Sequence, residues 1–167
     1  TNRTHLIDYE KAISSTTGVI LWAHTSNYIV KGFTKEVPLI DLALLSKKKR
    51  IPLVVDLGSG TIISTDNYNL PKEKNIKEIS NLGADIITFS GDKLIGGPQC
   101  GFIIGKKRYI NKISKNPLHR TYRCDKWTIA IMEETLKTFY SEEKFDSSNQ
   151  SLKLLTTTRK ELIARGE

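Results

Sequence analysis

The stretch Ile86-Ile87-Thr88-Phe89-Ser90-Gly91-Asp92-Lys93-Leu94-Ile95-Gly96-Gly97-Pro98-Gln99 decides how this chain is organised. An apolar, β-branched run ends in a hydroxyl at Ser90, stops at Gly91, and is followed by a single lysine, Lys93, before a Gly-Gly-Pro turn. A short apolar run bounded by turn residues is typical of a buried strand. The pattern therefore predicts a strand that delivers a lysine to the edge of a sheet.

A lysine in such a turn has one distinctive chemistry. Its deprotonated amine condenses with an aldehyde to form a Schiff base, as in enzymes that use pyridoxal phosphate. The glycines would let the backbone pack close to a flat ring or a phosphate, and Ser90 with the N–H groups of the turn can bind phosphate oxygens. The alternative is a solvated lysine in an ordinary turn, and this stretch alone leaves both readings open.

A second strand ends in an acid. Pro52-Leu53-Val54-Val55-Asp56-Leu57-Gly58-Ser59-Gly60 is a short apolar run that closes on Asp56 and a glycine turn. A buried carboxylate needs a partner, and the ring nitrogen of pyridoxal phosphate supplies one because the cofactor works as an electron sink when that nitrogen is protonated. The alternative is that Asp56 caps the loop that follows it. Taken together, the two strands favour the cofactor.

Composition bounds the class of protein. The chain has 167 residues, of which 38% are hydrophobic and 26% charged, which fits one soluble globular domain with a core. No run approaches the roughly 18 apolar residues of a membrane span and no leader resembles a signal peptide, so we expect a cytoplasmic protein without membrane attachment. Cys100 and Cys124 have neither a CxxC partner nor a ligand-spaced histidine. We therefore expect neither a disulfide framework nor a metal site.

The chain is basic, with a net charge of +8. This charge suits a polyanionic partner such as RNA, or phosphorylated small molecules. The densest basic runs are 47–50 (Lys-Lys-Lys-Arg) and 106–108 (Lys-Lys-Arg). A charge run is more often a solvated face than a binding site, so the sequence leaves the role of both runs open.

Period and punctuation predict alternating helices and strands. In chain order we expect a helix over 8–13 capped by Asp8, a strand over 18–24, a helix from Pro38 with an apolar face, a strand over 53–56, a helix over 75–82, strands over 85–90 and 101–104, and helices over 106–114 and 126–140, the last capped by Asp125. This alternation predicts an α/β fold with a mostly parallel sheet and helices on both faces. The loop 91–99 is too short for a parallel crossover, so we expect one antiparallel strand, 101–104.

The predicted topology brings His24, Asp56, Ser90 and Lys93 to, or just beyond, the carboxyl ends of three strands. In open α/β sheets this edge is where ligands bind.

The motifs at these places, with three others, resemble the bacterial L-seryl-tRNA(Sec) selenium transferase (selenocysteine synthase) family. The segments that carry the resemblance are Thr1-Asn2-Arg3-Thr4-His5-Leu6, His24-Thr25-Ser26-Asn27-Tyr28, Gly32-Phe33-Thr34, Val55-Asp56-Leu57-Gly58-Ser59-Gly60, Phe89 to Gln99, and Gly101-Phe102-Ile103-Ile104-Gly105-Lys106-Lys107. The resemblance implies the large domain of a fold type I pyridoxal phosphate enzyme. It also implies that residues 1–145 are part of that domain and that 146–167 are a linker and the start of a small C-terminal domain.

The resemblance assigns roles to the residues at the sheet edge. Lys93 would hold pyridoxal 5'-phosphate and then act as general base, and Asp56 would pair with the pyridinium nitrogen. Ser90 would bind the phosphate, and Asn27 would hydrogen-bond the ring hydroxyl. His24 would contact the cofactor, although a histidine at a strand end is more often a structural group.

Two arginines follow the lysine, Arg120 and Arg123. From the sequence alone they would lie in a surface loop. In the family, arginines at the corresponding places bind the selenium donor, and a planar guanidinium suits an oxyanion such as selenophosphate.

The activity implied is the conversion of seryl-tRNA(Sec) to selenocysteinyl-tRNA(Sec) with selenophosphate, through an aminoacrylyl-tRNA. Family members assemble as homo-oligomeric rings. The chain opens without a methionine, inside a family motif, and stops within a helical pattern, so we expect a fragment of a longer protein that need not be active alone. Two alternatives stay open: a fold type I enzyme acting on free amino acids, such as a cysteine desulfurase or β-lyase, and a non-catalytic RNA-binding or assembly domain.

Overall fold

A computed structural model describes residues 2–26 and 28–166 of the chain. The strands, in chain order, are β1 (Ile20–Ala23), β2 (Leu53–Asp56), β3 (Ile86–Ser90) and β4 (Gly101–Gly105). The helices are α1 (Leu6–Ala12), α2 (Leu39–Lys49), α3 (Ile76–Leu82), α4 (Lys107–Ser114), α5 (Lys126–Thr138), α6 (Glu142–Ser148), α7 (Gln150–Thr156) and α8 (Arg159–Gly166). Short 3-10 turns cover Thr65–Tyr68 and Pro117–Arg120.

The four strands form one sheet in the order β1-β2-β3-β4. β1 pairs with β2, and β2 with β3, in parallel register. β4 runs the other way: Lys106 donates its backbone N–H to Asp85 at one end of the β3–β4 pair, and Gly91 donates to Cys100 at the other. The α/β class, the mostly parallel sheet and the single reversed strand are therefore confirmed.

The core follows from strand alternation. Side chains on one face of β1, β2 and β3 are buried, and those on the other face are half-buried or exposed. The buried positions are Ile20, Trp22, Leu53, Val55, Ile87 and Phe89. At β4, Phe102 stacks on Phe89 with ring centroids 4.9 Å apart. α2 contacts β2 and buries the predicted apolar positions Leu39, Leu42, Ala43 and Leu45.

The start of α1 differs from the prediction. Asp8 was expected to cap this helix, but the cap residue is His5 and Asp8 lies inside the first turn. The carboxylate of Asp8 reaches back and accepts the His5 backbone N–H over 2.7 Å. An acid at this position accepts an otherwise unpaired N–H, and its negative charge interacts favourably with the positive end of the helix dipole. A cap residue does the same, so the predicted start of the helix fell three residues too far along the chain.

At α5 the prediction is confirmed. Asp125 is the cap residue and accepts the backbone N–H groups of Trp127 and Thr128. A hydrogen bond from the Thr128 hydroxyl, together with these backbone bonds, holds the pKa of the exposed Asp125 carboxyl below its usual value. The helix ends at Thr138, two residues before the predicted end.

The chain divides into two compact units. Unit 1 comprises Thr1–Gly58, Ile76–Phe89 and Phe102–Tyr122, and unit 2 comprises Ser59–Asn75, Ser90–Gly101 and Arg123–Glu167. The boundary between a large and a small domain at 145/146 stays a prediction.

Candidate active site

Three predicted site residues occupy the carboxyl ends of adjacent strands. His24 follows β1 directly, Asp56 is the last residue of β2, and Ser90 is the last residue of β3. The parallel register aligns Ala23 with Asp56 and Asp56 with Thr88. The predicted placement of each of these residues at the carboxyl end of its strand is confirmed, and their chemical roles stay predictions.

Asp56 is exposed and held by one of its two carboxylate oxygens. Oδ1 accepts the Thr88 hydroxyl over 2.8 Å and the Gly58 backbone N–H over 3.4 Å. No group that the structure describes, which leaves out Asn27 and the side chains of 142–144, donates a hydrogen bond to Oδ2. The carboxylate is thus oriented on one side and open to a ligand on the other. The sequence left open that Asp56 caps the loop that follows it. The hydrogen bond from Gly58 is a contact of that kind, and it uses the same oxygen as the bond from Thr88.

The turn after Asp56 requires glycine. Gly58 has a φ of +66°, and a Cβ at this position would lie 2.6 Å from the Ser26 hydroxyl oxygen. A side chain there would be strained by the backbone and would push on the loop that follows β1. Gly58 therefore keeps two strand ends of unit 1 close together.

His24 is fixed by its backbone and its ring. Its N–H donates to the carbonyl of Asp56 over 2.8 Å. Its ring stacks on Trp22, with centroids 5.7 Å apart and planes 6° from parallel. The stacking is a structural role of the kind the sequence favoured, and a contact with a cofactor stays a prediction.

Lys93 lies in unit 2, in the turn after β3. Its backbone carbonyl accepts the Gly96 N–H over 3.0 Å and the Ser151 hydroxyl over 3.1 Å, while its side chain is exposed. Gly97 closes the same turn by donating its N–H to Gly91 over 2.9 Å. The backbone of the lysine is thus fixed, and its amine is available to a ligand.

The glycines of this turn make room for side chains of unit 2. Gly96 has a φ of +80°, and a Cβ there would lie 2.9 Å from the amide nitrogen of Asn149. A Cβ at Gly97 would collide with Met132. The sequence reading gave these glycines room for a ring or a phosphate; the structure gives these two a different role, because α5 and the start of α7 approach the turn.

Asn149 ties the turn to α7. Only 4% exposed, it donates its side-chain amide to the carbonyl of Ile95 over 3.0 Å. Its side-chain oxygen accepts the Leu152 N–H over 2.9 Å and so caps α7. One buried side chain therefore joins the lysine turn to a helix far along the chain.

The other predicted residues are placed as follows. Ser90 is half-buried. Arg120 ends a 3-10 turn in unit 1, and Arg123 begins the last segment of unit 2; both are exposed. Neither arginine forms a salt bridge with a residue that the structure describes. Asn27 lies outside the described residues.

The structure shows no cluster of metal ligands among the side chains it describes, which leave out those of 142–144: no three His, Cys, Asp or Glu side chains are grouped to hold a metal ion. Cys100 and Cys124 are both free thiols, and burial, with Cys124 and Asp92 nearby, raises the pKa of Cys100. None of the helices in the described part of the chain is long and apolar enough to cross a membrane.

Comparison with known families decides what this arrangement belongs to. Residues 1–167 match the family described as "SelA: L-seryl-tRNA selenium transferase". The chain belongs to this family. The resemblance carried by motifs within residues 1–107 is thereby confirmed, and the match extends it to residue 167.

Curated relatives of this selenium transferase family agree. The chain is 46% identical to the L-seryl-tRNA(Sec) selenium transferase of Alkaliphilus oremlandii, over 100% of the chain and 36% of that protein. It is 47% identical to that of Mannheimia succiniciproducens, with the same coverage, and 44% identical to that of Desulfotalea psychrophila, over 99% of the chain and 35% of that protein. The chain thus spans about a third of the length of the curated relatives it matches.

A solved structure supports the fold of this family member. The D-glucosaminate-6-phosphate ammonia-lyase structure matches with a TM-score of 0.66 and 22% identity, over 83% of this chain and 34% of that chain. At this identity the likeness concerns the fold alone.

Sequence reasoning missed the residues that support the site. Thr88 carried a usable signal, since parallel pairing of β2 and β3 aligns it with Asp56. Asn149, Ser151 and Met132 carried none, because they reach the lysine turn from more than thirty positions along the chain.

Proposed function

We propose that this chain is part of a pyridoxal phosphate enzyme that converts seryl-tRNA(Sec) to selenocysteinyl-tRNA(Sec) with selenophosphate. The observation that carries the proposal is the Asp56 carboxylate, held through Oδ1 by Thr88 and open at Oδ2, at the ligand-binding end of a parallel sheet. Family membership supports the reaction, and the printed names of the relatives support the tRNA substrate.

The donor set of the chain fits the cofactor. An oriented, open carboxylate suits a protonated ring nitrogen because the opposite charges favour the protonated form. An exposed amine on a fixed backbone, as at Lys93, suits a reactive aldehyde. Asp56 would pair with the ring nitrogen, Lys93 would hold the aldehyde, Ser90 would bind the phosphate, and His24 and Asn27 would contact the ring.

The residues would divide the work at the bound cofactor. Asp56 would keep a proton on the ring nitrogen, and Thr88 would keep Asp56 in place. The Lys93 amine would hold the cofactor and, as general base, would take a proton from the substrate α-carbon. When bound, pyridoxal phosphate supplies an electron sink for the resulting carbanion.

Two arginines and the assembly of the protein complete the proposal. Arg120 and Arg123, exposed and without salt bridges to described residues, would bind the oxyanion of selenophosphate with paired guanidinium donors. Assembly into homo-oligomeric rings and a cytoplasmic location remain predictions drawn from the family resemblance and the sequence.

A chimera tests the activity. The chain replaces the matching third of the Alkaliphilus oremlandii relative, which supplies the rest of the protein, and selenium transfer from selenophosphate to seryl-tRNA(Sec) is measured. We expect transfer by the chimera, none with Lys93→Ala, and full transfer with the matched surface variant Lys160→Ala.

The same assay separates the alternatives. Turnover of free cysteine or serine at a rate equal to that of seryl-tRNA(Sec) would indicate an enzyme of free amino acids. No turnover of either substrate, with RNA binding that survives Lys93→Ala, would indicate a non-catalytic RNA-binding domain.

A further inference from the structure

Unit 1 contains a cavity of about 330 Å³ beyond the amino ends of the parallel strands, at the opposite end from Asp56. It lies beside Ile51, which precedes β2, and Asp85, which directly precedes β3. Open α/β sheets bind their principal ligand at the carboxyl ends, so this cavity is separate from the candidate active site.

The cavity brings together the two basic runs whose roles the sequence left open. Its charged lining consists of Lys47 and Arg50 at the end of α2, Lys106 and Arg108 at the start of α4, and Asp85. Four cations thus face one carboxylate. Two stretches that are far apart in sequence form a single positive surface.

The single acid of the cavity is already neutralised. Asp85 is 4% exposed, and it accepts hydrogen bonds from Lys106 over 2.6 Å and from the Leu53 N–H over 2.9 Å. Arg108 lies 3.8 Å from the same carboxylate and donates to the Tyr109 hydroxyl. Neither Lys47 nor Arg50 forms a salt bridge within the described part of the chain. Positive charge therefore remains in excess.

The geometry of the backbone aims this charge at the cavity. Arg50 ends α2 in the left-handed conformation, with a φ of 56°. The Lys47 amine lies 4.0 Å from the position that a Cβ on Gly83 would occupy, and Gly83 also lines the cavity. α4 begins at this cavity without a side-chain cap, so its first N–H groups add partial positive charge.

We propose that this cavity binds a phosphate of an RNA backbone. A phosphate is small enough for the cavity, and guanidinium and ammonium groups both bind phosphate oxygens in proteins. The surface extends beyond one phosphate through the exposed Lys49 and Lys107, which favours a polymer with several phosphates over a single free anion. The identity of the polymer as RNA rests on the proposed function.

The test uses the salt dependence of binding. Fluorescence anisotropy measures the affinity of the chain for a labelled RNA duplex of about 20 base pairs of arbitrary sequence, between about 50 and 200 mM KCl. The double variant Lys47→Gln/Arg108→Gln removes two cavity cations and leaves the Lys106–Asp85 pair in place. We expect about a tenfold loss of affinity at low salt and a salt slope that is smaller by about 2.

Controls separate the cavity from net charge and from misfolding. Arg159→Gln/Lys160→Gln removes the same charge from exposed positions of α8, and we expect less than half of the effect on the slope. Lys47→Arg/Arg108→Lys keeps the charge, and we expect it to keep the affinity. Equal effects of both neutral pairs, or no effect of the cavity pair, would overturn the proposal.

Two further arms identify the source of the phosphate and isolate the proposed function. Binding of inorganic phosphate that is lost in the cavity variant, with duplex binding unchanged, would overturn RNA in favour of a small anion. Lys93→Arg is expected to leave duplex affinity unchanged. Failure of the cavity variants therefore does not touch the role of Lys93, and failure of cofactor attachment to Lys93 does not touch the cavity.

Discussion

Thr88 donates its hydroxyl hydrogen to Oδ1 of Asp56 over 2.8 Å, across the pair formed by β2 and β3. The bond connects the two strands that carry the chemistry suggested by the sequence. Because it uses one oxygen of the carboxylate, it also fixes the direction in which the other oxygen faces a ligand. Thr88 is thus a positioning residue for Asp56.

Removing this hydroxyl tests the positioning. Thr88→Val keeps the shape of the side chain and loses the donor, so the carboxylate loses a hydrogen bond to a charged group. We expect the Kd for pyridoxal phosphate, measured by absorbance titration, to rise about tenfold, or about 1.4 kcal/mol. Thr88→Ser keeps a hydroxyl and should bind as tightly as the parent chain. An unchanged Kd in Thr88→Val would show that Asp56 needs no such support.

The Asn149 side chain should stabilise the lysine turn and α7 together. Asn149→Ala removes a helix cap and leaves the buried carbonyl of Ile95 without its donor. Each loss costs about 1 kcal/mol or more, and we expect about 2 kcal/mol less free energy of unfolding in urea. Asn149→Ser keeps a cap acceptor and should lose about half as much. Equal losses in the two variants would mean that the cap on α7 contributes nothing, and no loss in Asn149→Ser would mean that the bond to Ile95 contributes nothing.

The Lys106–Asp85 pair should make the free energy of unfolding of unit 1 depend on pH in the acid range. Burial acts to raise the pKa of Asp85, but hydrogen bonds from Lys106 and Leu53, the Lys106 charge and a bond from Ser46 outweigh it and lower the pKa. A carboxyl with a lowered folded-state pKa stabilises the fold above its unfolded pKa of about 3.9, and that stability is lost as the pH falls through the folded-state value.

Lys106→Met should therefore shift acid unfolding to higher pH, because the pKa of Asp85 rises when its main partner is removed. The free energy of unfolding, measured in urea from pH 7 down to pH 3, should fall earlier than in the parent chain. Lys107→Met, a neighbouring exposed lysine, is the matched control and should follow the parent curve. Coincident curves for all three proteins would show that the pair does not govern acid stability.

The features that could be predicted from the sequence are those that depend on local patterns of residues. β2 was predicted over its observed bounds, and the reversal of β4 followed because the ten residues between Ser90 and Gly101 are too few for a parallel crossover. The helix face of α2 followed from its apolar spacing. The sheet-edge positions of His24, Asp56 and Ser90 followed from the same strand ends.

Long-range contacts set the limit of that reasoning. No residue near Gly96 in the sequence indicates that Asn149 fills the space beside it. The turn glycines were therefore predicted to make room for a ligand, whereas Gly96 makes room for a side chain. From the sequence, each of the two basic runs could be an ordinary solvated face. Their meeting at one cavity depends on how β3, β4 and α2 pack, which the sequence does not show.

Covalent trapping with borohydride shows whether Lys93 is the residue that holds pyridoxal phosphate. The chain is incubated with the cofactor at a ratio near one to one, reduced with borohydride, digested, and mapped by mass spectrometry; Lys93→Arg and Lys160→Arg are treated in parallel. We expect the pyridoxyl phosphate group on the Lys93 peptide of the parent chain and of Lys160→Arg, and no specific label on Lys93→Arg. A label spread over exposed lysines, with none enriched at Lys93, would contradict the account.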